Sequence, residues 1–384
     1  MSLTPDVLAI AEDVISEAGR DRPADAVLRI ELKKHRDLAA PSARAISRAV
    51  FAYYRWWKWL EGQPLAERVK GAVQLQERFS SQPSTFTDEE LAAKAVPQWV
   101  KEQSAVSPAW LRSLQAEPKL WLRAKAGHAT ELAKRLGDCY PPRPRGEASG
   151  VSRALADTLE YRGEKDLFRT PAFHAGEFEI QDISSQLVSL LCEPEAGQTW
   201  WDACAGEGGK TVHLSDLMRN QGLIWASDRA AWRLQKLKRR AARAKVFNYR
   251  SAAWDGGPKL PTKTKFDGVL VDAPCSGLGT WQRNPDSRWT TTLQDIRELS
   301  QLQIQLLAHA APAVKPSGKL IYAVCTLPRA ETVDVVKEFE RQFPGFAPLP
   351  LLSPFHPAAT PLWIWPQDCG GNGMFLVAWR KKGS

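Results

Sequence analysis

The stretch Val269-Leu270-Val271-Asp272-Ala273-Pro274-Cys275-Ser276-Gly277-Leu278-Gly279 decides how this chain is read. With Gly268 before it, its first part is a short apolar run, as in a strand buried on both faces of a parallel sheet. Pro274 stops that strand, because it has no N–H to give to the ladder. A carboxylate, Asp272, and a thiol, Cys275, are left at the carboxyl end, where open α/β sheets place their ligands. Fifty positions after Cys275 the pattern returns. Lys319-Leu320-Ile321-Tyr322-Ala323-Val324 is a second apolar run, and it ends in Cys325 and Thr326. A buried cysteine is usually a small hydrophobe, but two thiols at two strand ends on the ligand side point to thiolate chemistry. Such a thiolate needs a cationic neighbour or a helix end, and Lys210 is the candidate.

Upstream, Thr199-Trp200-Trp201-Asp202-Ala203-Cys204 reads as a strand running into the turn Ala205-Gly206-Glu207-Gly208-Gly209-Lys210-Thr211, with a helix over 212–218. The glycines let backbone approach a ligand, and the helix start presents amide N–H groups. The next strand, 223–228, ends in Asp228. An acidic residue about twenty positions past the glycines suits the ribose hydroxyls of a nucleotide-type cofactor. The turn does not match G-x-G-x-x-G, and a P-loop would need glycine where Cys204 stands. A basic helix over 229–245 follows, then a strand over 246–250, the Asp272 strand, a long helix over 293–313, the Cys325 strand, a helix over 328–342 and a last strand over 374–379. This alternation predicts an α/β fold with a largely parallel, doubly wound, Rossmann-like sheet over 176–384.

The chain has 384 residues, enough for two or three domains. Residues 1–80 read as an all-helical module. Pro41-Ser42 offers a cap, and Ile46, Ala49, Val50, Tyr53, Tyr54 and Trp57 share one helical face. Arg44, Arg48, Arg55 and Lys58 point elsewhere, and Gly62 and Pro64 close the helix. Residues 81–175 read as a small α/β connector, with a strand over 119–124, a helix over 128–136 ended by Gly137, and a proline-rich loop over 141–146.

Net charge is +9, unevenly spread: 20–60 holds ten Lys/Arg against four Asp/Glu, and 229–245 holds eight against none. Such clusters predict a polyanionic partner, nucleic acid first, and otherwise serve as solvated faces. The helical module is accordingly read as RNA-binding, or else as a packing or dimerisation domain. Six cysteines include no C-x-x-C pair, so no structural zinc is expected. Cys139, Cys192 and Cys369 are read as small hydrophobes. With no signal peptide and no apolar run of membrane length, a cytoplasmic protein with reduced thiols is expected. Most of the sixteen tryptophans should be core residues.

Residues 177–384 resemble the Sun/Fmu family of RNA cytosine-C5 methyltransferases. The resemblance is carried by Gln181-Asp182-Ile183-Ser184-Ser185-Gln186, the turn 202–211, the two cysteine motifs at 272–277 and 322–327, and Arg283-Asn284-Pro285-Asp286-Ser287-Arg288-Trp289. The first 80 residues resemble the NusB-like helical domain of the family's small-subunit rRNA members. Two departures stand out: Gly206-Glu207 replaces the usual Ala-Pro, adding a charge near the expected methionine end, and Ala-Val-Cys-Thr replaces the usual Thr-Cys-Ser.

The resemblance implies a class I methyltransferase sheet that uses S-adenosyl-L-methionine on RNA, rRNA before tRNA, as a monomer without metal. It implies that Cys325 adds to carbon 6 of the cytosine, making carbon 5 nucleophilic toward the methyl group. Asp272 would hold the pyrimidine edge, Cys275 would assist release of the adduct, and Lys210 would contact the base or its activating network. Cys204, Ala205, Gly206, Glu207, Gly208, Gly209, Lys210, Asp228 and Asp272 would hold the cofactor. Asp255 would meet the adenine amino group, with Asp267 as the substitute. Three other readings stand beside this one. In DNA cytosine methyltransferases the nucleophile is the cysteine of a Pro-Cys pair, a form that Pro274-Cys275 matches. Amino-group methylation would want an aromatic residue where Cys275 stands. The third is an RNA-binding or assembly protein without catalysis, supported by the Gly206-Glu207 change.

Overall fold

The computed structural model describes residues 3–35, 37–142, 155–352 and 358–383. The chain divides into two units: Met1–Pro118 with Gly277–Asp295, and Lys119–Ser276 with Ile296–Ser384.

The first unit is helical. Its longer helices are Pro5–Glu17, Ala24–Lys34, Ala40–Trp56 and Leu65–Ser81. Ala40–Trp56 buries Ile46, Ala49, Val50, Tyr53 and Trp56 at helical spacing. Trp56, rather than the expected Trp57, is the tryptophan that this helix buries fully. The cap is Ala39 and not Ser42, so Pro41 occupies the first turn, where a missing N–H costs nothing. Helix continues past residue 80 through Asp88–Lys94, Val100–Gln103 and Pro108–Gln115. The α/β connector expected over 81–175 therefore starts only at Leu120.

Gly277–Asp295, which follows the Cys275 loop in sequence, is part of this helical unit. Asp286 accepts from the Ala24 amide at 3.0 Å, and the Trp289 indole donates to the Tyr54 carbonyl at 2.7 Å. Arg288 is fully buried and donates to the carbonyls of Ala95, Leu114 and Trp281. Desolvation drives its pKa well below the usual arginine range. No local pattern announced this placement.

The second unit holds two sheets. In the smaller, antiparallel one the order is β2-β3-β1-β4, with β1 Leu120–Ala124, β2 Cys139–Tyr140, β3 Thr158–Tyr161 and β4 Phe178–Ile180. The helix Ala129–Leu136 packs on it and ends at Gly137, as expected. Of the proline-rich loop, residues 143–146 lie outside the described residues.

The larger sheet has the order β10-β12-β9-β8-β5-β6-β7, with β11 paired to β12. Its strands are β5 Thr199–Asp202, β6 Leu223–Asp228, β7 Tyr249–Ala253, β8 Phe266–Asp272, β9 Val314–Val324, β10 Phe346–Leu349, β11 Leu362–Ile364 and β12 Met374–Lys381. The strands β9, β8, β5, β6 and β7 run parallel, while β12 pairs antiparallel with β9 and with β10. The expected third strand, 246–250, lies three residues later as β7. Helices Ile183–Leu191, Gly209–Leu217, Ala231–Arg243, Leu293–Ala310 and Val333–Gln342 alternate with these strands.

The sheet is buried on both faces because its strands alternate between two apolar layers. Trp201, Val269, Val271, Leu320, Tyr322 and Val324 enter one core, and Trp200, Leu270, Ile321 and Ala323 enter the other. That is why these strands read as continuous apolar runs. Among the described residues, no helix is long and apolar enough to cross a membrane, and no group of three or more metal-ligating side chains gathers.

Candidate functional site

Strand register builds the site. In the parallel pair β8–β9, Asp272 lies opposite Ala323, and the Ala273 amide donates to the Ala323 carbonyl at 2.9 Å. Cys275 is three residues past Asp272, and Cys325 is two past Ala323, so the two loops leave the sheet side by side. The sulfurs of Cys275 and Cys325 stand 3.3 Å apart, well beyond the roughly 2.05 Å of a disulfide.

Lys210 arrives from the neighbouring β5, through the glycine turn and the start of helix Gly209–Leu217. Its ammonium donates to Asp272 at 2.6 Å. Burial opposes that charge, but the Asp272 carboxylate, with Cys325 and Asp202 nearby, raises the Lys210 pKa above the usual lysine range. An ammonium paired with Asp272 therefore sits beside the Cys325 loop.

A cavity of about 360 Å³ opens at the carboxyl ends of β5, β6 and β8, within the usual size of a small-molecule site. Cys204, Ala205, Gly206, Glu207, Gly209, Lys210, Asp228, Asp255 and Asp272 all line it. Gly208 does not. It holds the left-handed position before the helix, with φ +86°, and a Cβ there would stand 2.6 Å from the Leu237 side chain. Asp228 is buried; its two oxygens accept from the amides of Gly206 at 3.0 Å and Ala230 at 2.8 Å. A carboxylate accepts about four hydrogen bonds, so capacity for a ribose diol remains. Asp255 is exposed and accepts from the Gly257 amide at 2.8 Å.

Asp267, the substitute adenine partner, does not line the cavity. It lies near the opposite end of β8, paired with Lys315 at 2.8 Å and capping the Thr199 amide. The charge of Glu207 is compensated, because its carboxylate pairs with Lys236 at 2.6 Å while its carbonyl accepts from Arg240. The basic helix is thus partly spent on internal partners, since Arg240 and Arg243 also pair with Glu179 at 3.1 and 2.5 Å.

The sequence reading missed Asp202. It ends β5, is fully buried and lines the cavity. Oδ2 accepts from the Thr211 hydroxyl at 2.7 Å, while Oδ1 has no partner among the described residues. Desolvation pushes its pKa up to about 7. An orphaned carboxylate oxygen in a cavity wall fits a cationic ligand group, as the ammonium of an amino acid would supply. The signal was available, since Asp202 ends a strand as Asp228 and Asp272 do. Trp254, Leu302 and Leu306 complete the apolar wall, and nothing local marked them.

Residues 189–380, half of the chain, match the model of a family described as 16S rRNA methyltransferase RsmB/F. The chain belongs to this RsmB/F family. It is 35% identical over 223 residues to a probable ribosomal RNA small subunit methyltransferase B of Bacillus subtilis (strain 168), covering 56% of this chain and 50% of that protein. It is 42% identical over 174 residues to the Synechocystis protein of the same description, covering 44% and 38%. The chain therefore spans about half the length of these relatives, or less. Among solved structures, PH0851 superposes with a TM-score of 0.80 at 24% identity over 99% of this chain and 100% of that one. NSun6 from Pyrococcus horikoshii, solved with SFG, gives 0.61 at 20% identity over 72% and 94%. As an RsmB/F member, the chain carries a sheet of the class I methyltransferase type.

Proposed function

We propose that this chain transfers a methyl group from S-adenosylmethionine to carbon 5 of a cytosine in 16S rRNA, through a covalent adduct on Cys325. The observation that carries this reading is the convergence of Lys210, Asp272, Cys275 and Cys325 beside a nucleotide-sized cavity. RsmB/F membership supplies the substrate class. Such a substrate would place the protein in the cytoplasm.

The cavity residues fit the cofactor: Asp202 would take its ammonium, Asp228 its ribose hydroxyls and Asp255 its adenine edge. When bound, S-adenosylmethionine supplies a methyl group activated on a sulfonium. The protein's task is to make carbon 5 of cytosine nucleophilic. The Cys325 thiolate adds to carbon 6, with the Lys210 cation as the neighbour that a thiolate needs. Asp272, fixed by Lys210, holds the pyrimidine edge by accepting from its amino group, and the Lys210 ammonium stabilises the negative charge that develops on the ring. After methylation, the Cys275 thiolate, 3.3 Å from the Cys325 sulfur, takes the carbon 5 proton, the ring carbon 5–carbon 6 double bond re-forms and Cys325 leaves as a thiolate. The target base must leave its stack, which costs a few kcal/mol and favours unpaired RNA.

The non-catalytic reading rested on the Gly206-Glu207 change, and the exposed Lys236–Glu207 pair weakens that support. The helical unit, with its basic residues, serves as an RNA platform in this reading. The test is calorimetric titration with S-adenosylmethionine, followed by methyl transfer to unmodified total RNA with the label mapped. Binding followed by label at one cytosine of 16S rRNA is expected. Binding without label on any RNA would contradict the assignment, and label on tRNA would move the substrate.

A further inference from the structure

Behind the two thiols lies a buried carboxylate that the proposed chemistry does not use. Glu331 is fully buried at the end of the turn Arg329–Glu331, six residues past Cys325. No Lys, Arg or His forms an ion pair with it among the described residues. A buried carboxylate without a cation is costly unless hydrogen bonds replace its water. Here they do. Oε1 accepts from the Ser276 amide at 2.9 Å and the Gln303 side-chain amide at 2.9 Å. Oε2 accepts from the hydroxyls of Ser276 and, at 3.4 Å, Thr326. Burial pushes its pKa up, while the donors from Ser276, Gln303 and Thr326 pull the other way.

The partners of Glu331 are not scattered. Ser276 directly follows Cys275, and Thr326 directly follows Cys325. Their hydroxyls also meet each other at 2.7 Å. Gln303, which bonds Glu331, also donates to the carbonyl of Pro274, the residue before Cys275, at 2.9 Å. Tyr322, three residues before Cys325, places its hydroxyl 2.7 Å from the Glu331 carbonyl oxygen and 2.9 Å from Gln303 Oε1. One carboxylate thus links both cysteine loops and is braced by Gln303 from the helix Leu293–Ala310.

We propose that Glu331 is a positioning residue that sets the spacing of the Cys275 and Cys325 thiols. It touches neither the base nor the cofactor. It holds the two loops, which the strand pair and the Ser276–Thr326 hydroxyl contact also join, so that attack and release act on one adduct. The kinetic part rests on the proposed reaction, whereas the spacing of the thiols does not.

The test uses the full chain and phenylarsine oxide, which captures two adjacent thiols together with loss of water. Wild type should bind one equivalent, lost in Cys275→Ser and in Cys325→Ser. Glu331→Ala should capture it about tenfold more weakly, still unfold cooperatively and keep its affinity for S-adenosylmethionine. Its kcat on RNA should fall about 100-fold with KM for RNA unchanged, and Glu331→Gln, which keeps one carbonyl acceptor, should recover part of both. Should Glu331→Ala fail to fold, Ser276→Ala removes one tie and should lose capture and kcat in the same direction. A folded Glu331→Ala, or failing that Ser276→Ala, with wild-type capture and kcat would overturn the proposal. If wild type methylates no RNA, the reaction falls, and arsenical capture alone still decides the role of Glu331.

Discussion

Asp202 gives the residue scale its clearest pH signature. Its pKa is raised from the ordinary 3.8 to about 7 by desolvation. A carboxyl raised in the folded state favours folding most when protonated. Its contribution is therefore complete below about pH 4 and is lost as pH climbs toward 7. Three units correspond to about 4 kcal/mol at most. Asp202→Asn cannot ionise, so its stability relative to wild type should rise between pH 4 and 7 and level off above, by urea titration of the ligand-free protein. An unchanging difference would mean that Asp202 is ionised throughout. The ionised form is the one that receives an ammonium, so S-adenosylmethionine affinity should increase across the same interval in wild type and not in Asp202→Asn.

What the sequence disclosed at this scale follows a physical line. That Asp272, Cys275 and Cys325 gather at one end of the sheet was legible because strand ends in a doubly wound sheet are ligand sites, and a proline or polar residue marks the end locally. Lys210 was legible as the one cation in the glycine turn. Asp202 carried the same mark and was passed over beside the glycines. Glu331 was not legible, because its meaning lies in four donors that three separate segments bring to it.

At the scale of elements, the turn from β5 into the helix Gly209–Leu217 works only with a left-handed residue against the helix Ala231–Arg243. Gly208→Ala would force a Cβ to within 2.6 Å of Leu237 in a backbone region that L side chains avoid. Loss of S-adenosylmethionine binding by tenfold or more, about 1.4 kcal/mol, is expected by calorimetry; unchanged binding would show that the turn yields. The basic helix divides its charges. Lys236, Arg240 and Arg243 are held by Glu207 and Glu179, whereas Lys238 and Arg239 are exposed. Lys238→Ala with Arg239→Ala should therefore weaken RNA binding and lower the slope of log affinity against log salt by about 1.5. An unchanged slope would place the phosphates elsewhere. Sequence counted eight basic residues here and could not tell the paired ones, since Glu179 lies on β4 of the other sheet.

At the scale of the whole molecule, sequence proximity misled most. Gly277–Asp295 starts two residues after Cys275 and yet belongs to the helical unit, as Arg288 and its three carbonyl partners demonstrate. No periodicity could place it, because buried arginine looks like surface arginine in a sequence. Arg288→Met would leave those carbonyls without their donor and should destabilise the protein by about 3 kcal/mol, read by chemical denaturation. A loss within about 0.5 kcal/mol would mean that the arginine is dispensable to the fold. The parallel middle of the sheet, by contrast, was readable, since burial on both faces writes β8 and the second half of β9 as apolar runs, whereas the half-exposed β7 was placed three residues early and the short strands β10 and β11 were not foreseen.

In the proposed reaction the thiol of Cys325 attacks the base and that of Cys275 serves release. Its most direct measurement is the covalent RNA–protein adduct on denaturing gels, with labelled S-adenosylmethionine and unmodified RNA, for Cys275→Ser and Cys325→Ser side by side. Cys275→Ser should accumulate a labelled adduct, and Cys325→Ser should form none and transfer no methyl group. An adduct that survives in Cys325→Ser and vanishes in Cys275→Ser would contradict the claim and reverse the two roles.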